Sequence, residues 1–429
     1  MAPTFELTVN GTADAAGRYL TWSPVPAALR LLDADGEAGP IQVTLGNGQG
    51  TGGKIVLRAE RKDPPTDALS LSVAVDGTPR EFFLAGRFGS PSILDRDAPL
   101  VISRADASGT VLDTVELMVR IRKDAETLSD AERGAFLFAL VTLHGRGGAV
   151  DTYETFRQAH QESTLGEAHG NDGFLPWHRA YVLDLERALQ RIDPAVSLPY
   201  WSFGSPSPRL FSMDFLGAPP IVGIQALFSP SNPLRLWAIG NVVGINRRPR
   251  FDPMATGAGD EATNQFVRAD SVITGFGGTY HQLRSPFEQD PHGTAHTSFT
   301  GPIQTPATAP QDPLFFLLHA NVDRLWAFWQ WMQKRTLPTD SSAYQFQGKA
   351  GQANSTRIGH NRLDTMWPWN GVKDANGPRP PIAPRTPFPD ALIAGPGHTP
   401  TVGAMIDYQG LHDATAELGF DYDDVPYQP

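Results

Sequence analysis

Histidines occur in this sequence in two groups whose spacing is suited to holding metal ions. His292 and His296 stand four residues apart, which places both imidazoles on one face of a helix. His319 follows within the apolar run from Asp312 to Met332, and the three imidazoles together could bind one metal. An earlier group offers three more candidates: His144, His169 and His178. Two such groups predict a paired-metal site.

The ligand type narrows the choice of metal. Neutral imidazole binds copper, zinc, iron and nickel, and three protein ligands leave a metal an open position, which a catalytic site needs. Two such metals facing each other could bind a diatomic molecule between them. A hydrolytic zinc or manganese pair usually recruits carboxylates, and a di-iron bundle needs Glu-x-x-His motifs, which we do not find in suitable positions. The ligand set therefore favours copper.

The first group has two candidates for its third ligand. His160 lies closer to His169 along the chain than His144 does. The helix predicted around His160 is rich in polar residues, whereas His144 follows an apolar run that looks buried. We therefore predict that His144 is the ligand and that His160 is not.

Helical patterns surround both groups. A capping box at Ser129–Glu132 starts a helix upstream of the first group. Pro176 is predicted to open another helix, with His178 in its first turn. Asp312 is predicted to cap the helix that carries His319. Helices are therefore expected to position most of the candidate ligands.

Residues 1–122 follow a different period. Apolar and polar residues alternate, as in Phe5–Val9, and this pattern predicts half-buried strands. Turn signals such as Asn10-Gly11 and Asp35-Gly36 separate the strands. We therefore predict a multidomain α+β protein: an antiparallel β-sandwich over residues 1–122, followed by a mainly α-helical domain with long loops over residues 123–429.

The composition excludes several classes of site and partner. The 429-residue chain has no cysteine, which rules out disulfides, thiolate metal sites and cysteine nucleophiles. Its formal net charge of -11 argues against nucleic acid or an anionic membrane as a partner. The N-terminus lacks the regions of a signal peptide, and no run approaches the ~18 apolar residues of a membrane span. We therefore expect a cytoplasmic protein with no nucleic-acid or membrane partner.

Several motifs resemble those of the type-3 copper proteins, which include tyrosinases, catechol oxidases and molluscan haemocyanins. The similarity spans roughly residues 129–332. It lies in His144, in His169-Gly-Asn-Asp-Gly-Phe-Leu-Pro-Trp-His178-Arg-Ala-Tyr181, in His292-Gly-Thr-Ala-His296 and in Asp312-Pro-Leu-Phe-Phe-Leu-Leu-His319-Ala-Asn-Val-Asp323-Arg-Leu-Trp326. The ending Gly419-Phe-Asp-Tyr422 is also similar to the tail of the tyrosinase core.

The resemblance implies a four-helix core that holds two copper ions per chain. Carried over to this sequence, one copper would be bound by His144, His169 and His178, and the other by His292, His296 and His319. Three further residues would orient imidazoles or tie helices together: Asp312, Asp323 and Arg324. A structural interpretation fits these three equally well, with Asp312 as a cap and Asp323 paired with Arg324.

The resemblance also implies an activity and its partners. The enzymes of the family use O2 as co-substrate to oxidise o-diphenols to o-quinones, and tyrosinases also hydroxylate monophenols. A haemocyanin-like O2 carrier and an o-aminophenol oxidase remain as alternatives with the same site. A chain with one functional unit and no internal repeat favours the enzyme, whose partners would be a small phenolic molecule and O2.

Two positions near His292 bear on the choice of phenol. Family members that hydroxylate monophenols well often carry Asn directly after the first histidine of the second group, where this chain has Gly293. A glutamate often helps that Asn to hold a water that deprotonates the phenol. Glu288 is our candidate, with a solvated loop carboxylate as the alternative. Gly293 and Thr297 are predicted to line the substrate pocket, and we expect o-diphenols to react better than monophenols.

Overall fold

A computed structural model of the chain describes residues 3–106, 109–145, 152–160, 168–253, 272–344, 362–369 and 400–429. The chain divides into two compact units. One comprises Met1–Arg122 together with Gly419–Pro429, and the other comprises Lys123–Leu418. The first is built from β-strands, and the second contains helices joined by long loops.

Strands of the first unit form two sheets. Their bounds are β1 (Thr4–Val9), β2 (Tyr19–Leu20), β3 (Val25–Asp33), β4 (Ile41–Asn47), β5 (Ile55–Arg58), β6 (Ala68–Val73), β7 (Arg80–Gly86), β8 (Ala98–Arg104) and β9 (Val111–Val119). The order is β1-β3-β7-β5 in one sheet and β2-β9-β8-β4-β6 in the other, and β2 pairs with β9 in parallel. Alternate side chains are buried, as Phe5, Leu7 and Val9 are in β1. The predicted N-terminal β-sheets are confirmed.

Turn residues end two of these strands. Asn10 and Gly11, which follow β1, have φ angles of 51° and 76°. Asp35 and Gly36, which follow β3, have φ angles of 45° and 83°. Two consecutive positive φ angles are strained for most side chains, and Asn, Asp and Gly tolerate them best. The chain therefore reverses at both dipeptides where the sequence predicted turns.

The C-terminal segment Gly419–Pro429 belongs to the first unit. The backbone N–H of Arg122 donates to the carbonyl oxygen of Asp421 at 2.9 Å. The indole N–H of the buried Trp22 donates to the carbonyl oxygen of Tyr422 at 2.8 Å. This grouping differs from the predicted second domain, which ran to the end of the chain. Backbone pairing between residues so distant along the chain has no signature in sequence motifs.

Helices of the second unit carry most of the histidines. Their bounds are α1 (Asp130–Gly145), α2 (Tyr153–Ala159), α3 (Phe174–Gln190), α4 (Tyr280–Phe287), α5 (Thr294–Thr297) and α6 (Leu314–Gln333), with a π-helical segment at Glu288–Gly293. Short strands also occur: β10 (Ala238–Ile239), β11 (Val242–Val243), β12 (Arg248–Pro249) and β13 (Phe299–Thr300). Short 3-10 helices complete the described elements: Ala15–Arg18, Pro233–Leu236, Ile273–Gly275, Pro302–Gln304, Ala309–Gln311, Gly403–Met405 and Ala414–Ala416.

The predicted capping box starts α1. The backbone N–H of Glu132 donates to Ser129 Oγ at 3.2 Å, and the backbone N–H of Ser129 donates to Glu132 Oε2 at 2.8 Å. Each side chain thereby satisfies a backbone donor that has no partner within the helix.

Helices α3 and α6 pack against each other and form the centre of the second unit. Both are buried along most of their length, and most of the α6 side chains from Leu314 to Gln330 are buried. None of the helices that the structure describes, α6 included, has the length and hydropathy that crossing a membrane requires. A helical core is therefore present, while its description as a four-helix core stays a prediction.

Candidate metal centre

Six imidazoles lie together in the second unit. They form two groups, and within each group the potential ligand atoms lie within 4.8 Å of one another. One group is His160, His169 and His178, and the other is His292, His296 and His319. The rings of His178 and His319 stack with 4.2 Å between their centroids and so connect the two groups. The arrangement is that of two adjacent metal sites.

Helices α2 and α3 hold the first group. His160 is the C-cap of α2, whose N-cap is Thr152. His178 lies near the start of α3 and His169 lies in the loop just before it. The ring centroids of His169 and His178 are 5.0 Å apart. The loop and the two helix ends therefore converge on one point.

The second group is carried by the region from the π-helical segment to α6. His292 lies in the π-helical segment and His296 lies in α5, one turn further on. Their ring centroids are 4.7 Å apart, as expected for residues four apart on one helical face. His319 joins them from α6, with 5.4 Å between its ring centroid and that of His296.

Backbone carbonyls orient four of the six imidazoles. The distances from Nδ1 to the carbonyl oxygen are 3.0 Å for His160 to Pro306, 2.8 Å for His178 to Phe174, 2.8 Å for His292 to Glu288 and 2.7 Å for His296 to Ile303. A carbonyl oxygen can only accept, so Nδ1 of each ring must carry the proton. In the neutral ring, Nε2 then presents a lone pair for a metal.

Two of these lone pairs point at each other. Nε2 of His160 and Nε2 of His178 are 3.3 Å apart, and neither carries a proton in the neutral ring. Two lone pairs at this distance repel, and a cation between them removes the repulsion. Nε2 of His292 is also buried and has no hydrogen-bond partner among the described residues. These nitrogen donors fit copper, as predicted from the ligand type.

Burial keeps the imidazoles neutral. It lowers the pKa of His160 to about 3, helped by the nearby His296, and lowers the pKa of His296 to about 4. Burial also holds the pKa values of the other four imidazoles well below the usual value. These residues are His169, His178, His292 and His319. Metal ligation requires the neutral ring, so the two groups are ready to bind metal at neutral pH.

His144 lies outside the cluster, which corrects the predicted ligand set. Its ring stacks on Trp237 with 3.9 Å between centroids and meets Tyr153 edge-on at 5.6 Å. Partial burial lowers its pKa. The place that the sequence assigned to His144 is taken by His160.

Side-chain pairing on α2 explains this error. Arg157 and Gln158 each donate to the carboxylate of Glu154 at 2.7 Å, so the residues that made the helix look exposed satisfy one another. The remaining face buries the following side chains: Tyr153, Phe156 and Ala159. His160 continues that buried face. The spacing of Tyr153, Phe156 and His160 by three and four residues was the signal that could have identified it.

Glu288 connects the two groups. Its Oε1 accepts from the backbone N–H of Gly170 at 2.6 Å, next to His169, and its Oε2 accepts from Arg284 at 3.0 Å. Its backbone carbonyl holds the ring of His292. Burial raises the pKa of its carboxyl. Glu288 is therefore a half-buried, hydrogen-bonded carboxylate at the edge of the centre, with 13% of its side chain exposed.

Gly293 and Thr297 follow His292 and His296 directly. Gly293 is half-buried with a helical φ of -61°, and Thr297 is exposed. The hydroxyl of Thr297 donates to the carbonyl oxygen of Gly293 at 3.0 Å. Thr297 is thus exposed on α5 and Gly293 is the N-cap of that helix, and their role in lining a substrate pocket stays a prediction.

An ion pair ties the two central helices together. Arg179, which follows His178, pairs with Asp323, which follows His319 by one turn, and both side chains are fully buried. Arg179 also donates to Gln330 at 2.9 Å. Asp323 thus joins α3 to α6, and Arg324 donates to Asn321 at 2.9 Å. Sequence reasoning missed Arg179, although its position beside a ligand was the available signal.

A second buried pair fixes the start of α6. Asp312 Oδ1 accepts from Arg247 at 2.7 Å and from the backbone N–H of Leu314 at 3.0 Å. Asp312 therefore satisfies the first backbone donor of α6 from the position before the N-cap, Pro313, and also holds a long loop through Arg247. Arg247 was another residue that the sequence did not single out. Asp312 lies seven residues before His319, about two helical turns, so the pair steadies the helix that presents this imidazole.

Comparisons with known proteins find similar sequences over the part of the chain that holds this centre. Residues 150–332 match the family model described as the common central domain of tyrosinase, a range that begins after His144 and includes His160. A tyrosinase from Streptomyces antibioticus is 31% identical over 282 residues, covering 59% of this chain and 94% of that protein. Grixazone synthase from Streptomyces griseus is 30% identical over 265 residues, covering 50% and 85%. A solved functional unit of Octopus haemocyanin has 18% identity, a TM-score of 0.43 and coverage of 72% and 69%.

Proposed function

The chain belongs to the tyrosinase family, and from this premise we propose that it is a dicopper oxidase that uses O2 to oxidise o-diphenols to o-quinones. The observation that carries the proposal is the pair of adjacent three-imidazole groups, with 4.2 Å between the rings of His178 and His319. Within the proposal, His160, His169 and His178 hold one copper ion, and His292, His296 and His319 hold the other.

When bound, the two copper ions supply the electron transfer between the phenol and O2. The chain supplies fixed geometry. Carbonyl acceptors hold the rings of four ligands, so that their Nε2 atoms point inward. Phe315 covers the imidazoles from one side, with ring centroids 4.3 Å from His319 and 4.7 Å from His160. This apolar cover excludes water from the centre.

The residues around His292 support a preference for o-diphenols. A phenol, with a pKa near 10, must lose its proton to bind copper, and at neutral pH a positioned base must accept that proton. Gly293 offers no side chain to orient a water molecule, and both carboxylate oxygens of Glu288 already accept hydrogen bonds. Catechols are oxidised more readily and depend less on a positioned base. We therefore place monophenol hydroxylation second to diphenol oxidation.

Oxygen uptake by copper-loaded protein tests the proposal. A panel of a catechol, the matching monophenol and the matching o-aminophenol separates the candidate activities. We expect rapid O2 consumption with the catechol and formation of the o-quinone. Reversible O2 binding without net consumption would instead identify an O2 carrier, and preference for the o-aminophenol would change the assigned substrate.

A further inference from the structure

A tryptophan packs directly against the first group of histidines. The ring centroid of Trp177 lies 5.1 Å from that of His178 and 5.7 Å from that of His160. Trp177 is fully buried, and its indole N–H donates to the carbonyl oxygen of Trp367 at 2.7 Å. Indole is among the most easily oxidised side chains, so any oxidant formed at the centre has a nearby electron donor that is not a ligand.

A second tryptophan extends this contact away from the centre. The ring centroid of Trp369 lies 5.6 Å from that of Trp177. Its indole N–H donates to Asp184 Oδ2 at 2.9 Å, and both side chains are buried. Trp177 and Asp184 lie seven residues apart on α3 and so share one helical face. Two tryptophans and a carboxylate therefore form a continuous row along this face.

The Asp184 carboxylate gives Trp369 a proton acceptor that the neighbouring Tyr181 lacks at its hydroxyl. Tyr181 lies 5.9 Å from His160 between ring centroids, but its hydroxyl donates to the carbonyl oxygen of Phe156. A phenol loses its proton when it is oxidised, and a backbone carbonyl is too weak a base to take that proton. An indole can lose an electron first, and at Trp369 the Asp184 carboxylate is in place to receive the N–H proton. Oxidation is therefore directed towards Trp369.

We propose that Trp177 and Trp369 form an electron-transfer route that protects the histidines of the metal centre when no phenol is bound. One electron leaves the indole of Trp369 and passes through Trp177 to the centre after its reaction with O2. Over successive cycles, four electrons that come from the external donor and four protons from solvent convert each O2 to two water molecules. The Nε1 proton of Trp369 moves to Asp184, which leaves a neutral radical and a neutral carboxylic acid in a buried site, where isolated charge is costly. A one-electron donor such as ascorbate returns the electron, and the proton returns from Asp184 to Nε1.

Because the rings along this route lie close together, electron transfer through them is fast relative to turnover. Electron transfer between rings in contact is much faster than enzymatic turnover, which is typically on the order of 10 per second. A bound phenol lies at the metals and reacts first, so the route operates when substrate is scarce. The inference rests on the proposed function, because that activity supplies the oxidant.

The experiment cycles copper-loaded protein with O2 and limiting ascorbate, without phenol. Samples are frozen for EPR and then digested for peptide mass mapping. We expect a tryptophan radical in the wild type and oxygen addition at Trp369. Trp369→Phe should lose that signal, gain oxidised histidine at His160 and His178, and release copper faster. Asp184→Asn should reduce the radical yield while keeping the packing.

Trp329→Phe is the matched control. Trp329 is also fully buried, and its indole N–H donates to the carbonyl oxygen of Gly277 at 3.0 Å, away from the row. This variant should behave as the wild type does. Identical histidine oxidation in the wild type and Trp369→Phe would overturn the route, provided that both oxidise catechol. Failure of the wild type to oxidise catechol would instead contradict the proposed function.

Discussion

The proton on each histidine Nδ1 determines what the ring can do. Carbonyl acceptors fix that proton in four rings, and burial keeps the rings neutral, so their Nε2 atoms are available as ligands. The same burial makes the protein sensitive to acid before any metal binds.

Acid should destabilise the apoprotein through His160. Its pKa is about 3 in the folded protein, against an ordinary value near 6.5 in the unfolded chain. Between these values the unfolded state binds more protons, so the free energy of unfolding falls as the pH falls below 6.5. At a pH of about 5 this residue alone accounts for a loss of about 2 kcal/mol.

Urea denaturation of the apoprotein at neutral and mildly acidic pH measures this effect. His160→Gln removes the titrating group, so its stability should fall less steeply with acid than that of the wild type. Comparing the two proteins removes the contributions that carboxylates and the other histidines make to the pH dependence of both. Equal slopes for the two proteins would contradict the assignment of His160 as a buried neutral imidazole.

Gly293→Asn should raise monophenol activity relative to diphenol activity. An amide at this position could orient a water molecule beside Glu288. The backbone accepts the change, because a Cβ at Gly293 would meet its nearest neighbour, Glu288 O, at 3.4 Å, which is an ordinary contact. Steady-state rates for a phenol and its matching catechol, measured in the wild type and the variant, give the ratio of monophenol to diphenol activity.

Gly293→Ala is the control for this substitution, since it adds a Cβ without an amide. The ratio should rise for Asn and stay unchanged for Ala. A wild type that already hydroxylates the monophenol nearly as fast as it oxidises the catechol would show that Gly293 does not limit the reaction.

At the scale of elements, α3 and α6 act as one rigid support. Each carries a ligand of a different group, and the Arg179–Asp323 pair joins them beside His178 and His319. Asp323→Asn should leave Arg179 as a buried charge without its anion. We expect a loss of about 3–5 kcal/mol in the free energy of unfolding, measured by denaturation of the apoprotein.

A half-exposed ion pair serves as the control. Glu37 pairs with Arg104 in the first unit, with about a third of each side chain exposed (32% and 31%). Solvent screens this pair, so Glu37→Gln should lower the free energy of unfolding far less than Asp323→Asn does. If both substitutions had equally small effects, the buried pair would not be a structural tie.

The elements themselves were largely accessible to prediction from sequence. The capping box at Ser129 and the turns at Asn10 and Asp35 are local signals, and the structure places elements where they indicate. The choice between His144 and His160 as a ligand could not be predicted from sequence, because it depended on which face of the short helix α2 is buried. That face is set by contacts with distant residues, and the Glu154 pairing disguised it.

At the scale of the whole molecule, the histidine centre is contained in Lys123–Leu418. We therefore expect a chain of residues 123–418 to bind two copper ions without the β-unit. Removing residues 1–122 alone should give a less soluble protein, because it exposes Gly419–Pro429, whose backbone and side chains bond within the first unit. Copper analysis of both truncated chains decides this, and a folded 123–418 chain that cannot bind copper would contradict the prediction.

Copper stoichiometry in two histidine variants tests the central claim most directly. The wild type should bind two copper ions per chain, and the oxidised pair should give no EPR signal because its two spins couple. His160→Ala should bind fewer than two ions and show the signal of an uncoupled copper, whereas His144→Ala should match the wild type. Retention of a coupled pair by His160→Ala, with its loss in His144→Ala, would contradict the account.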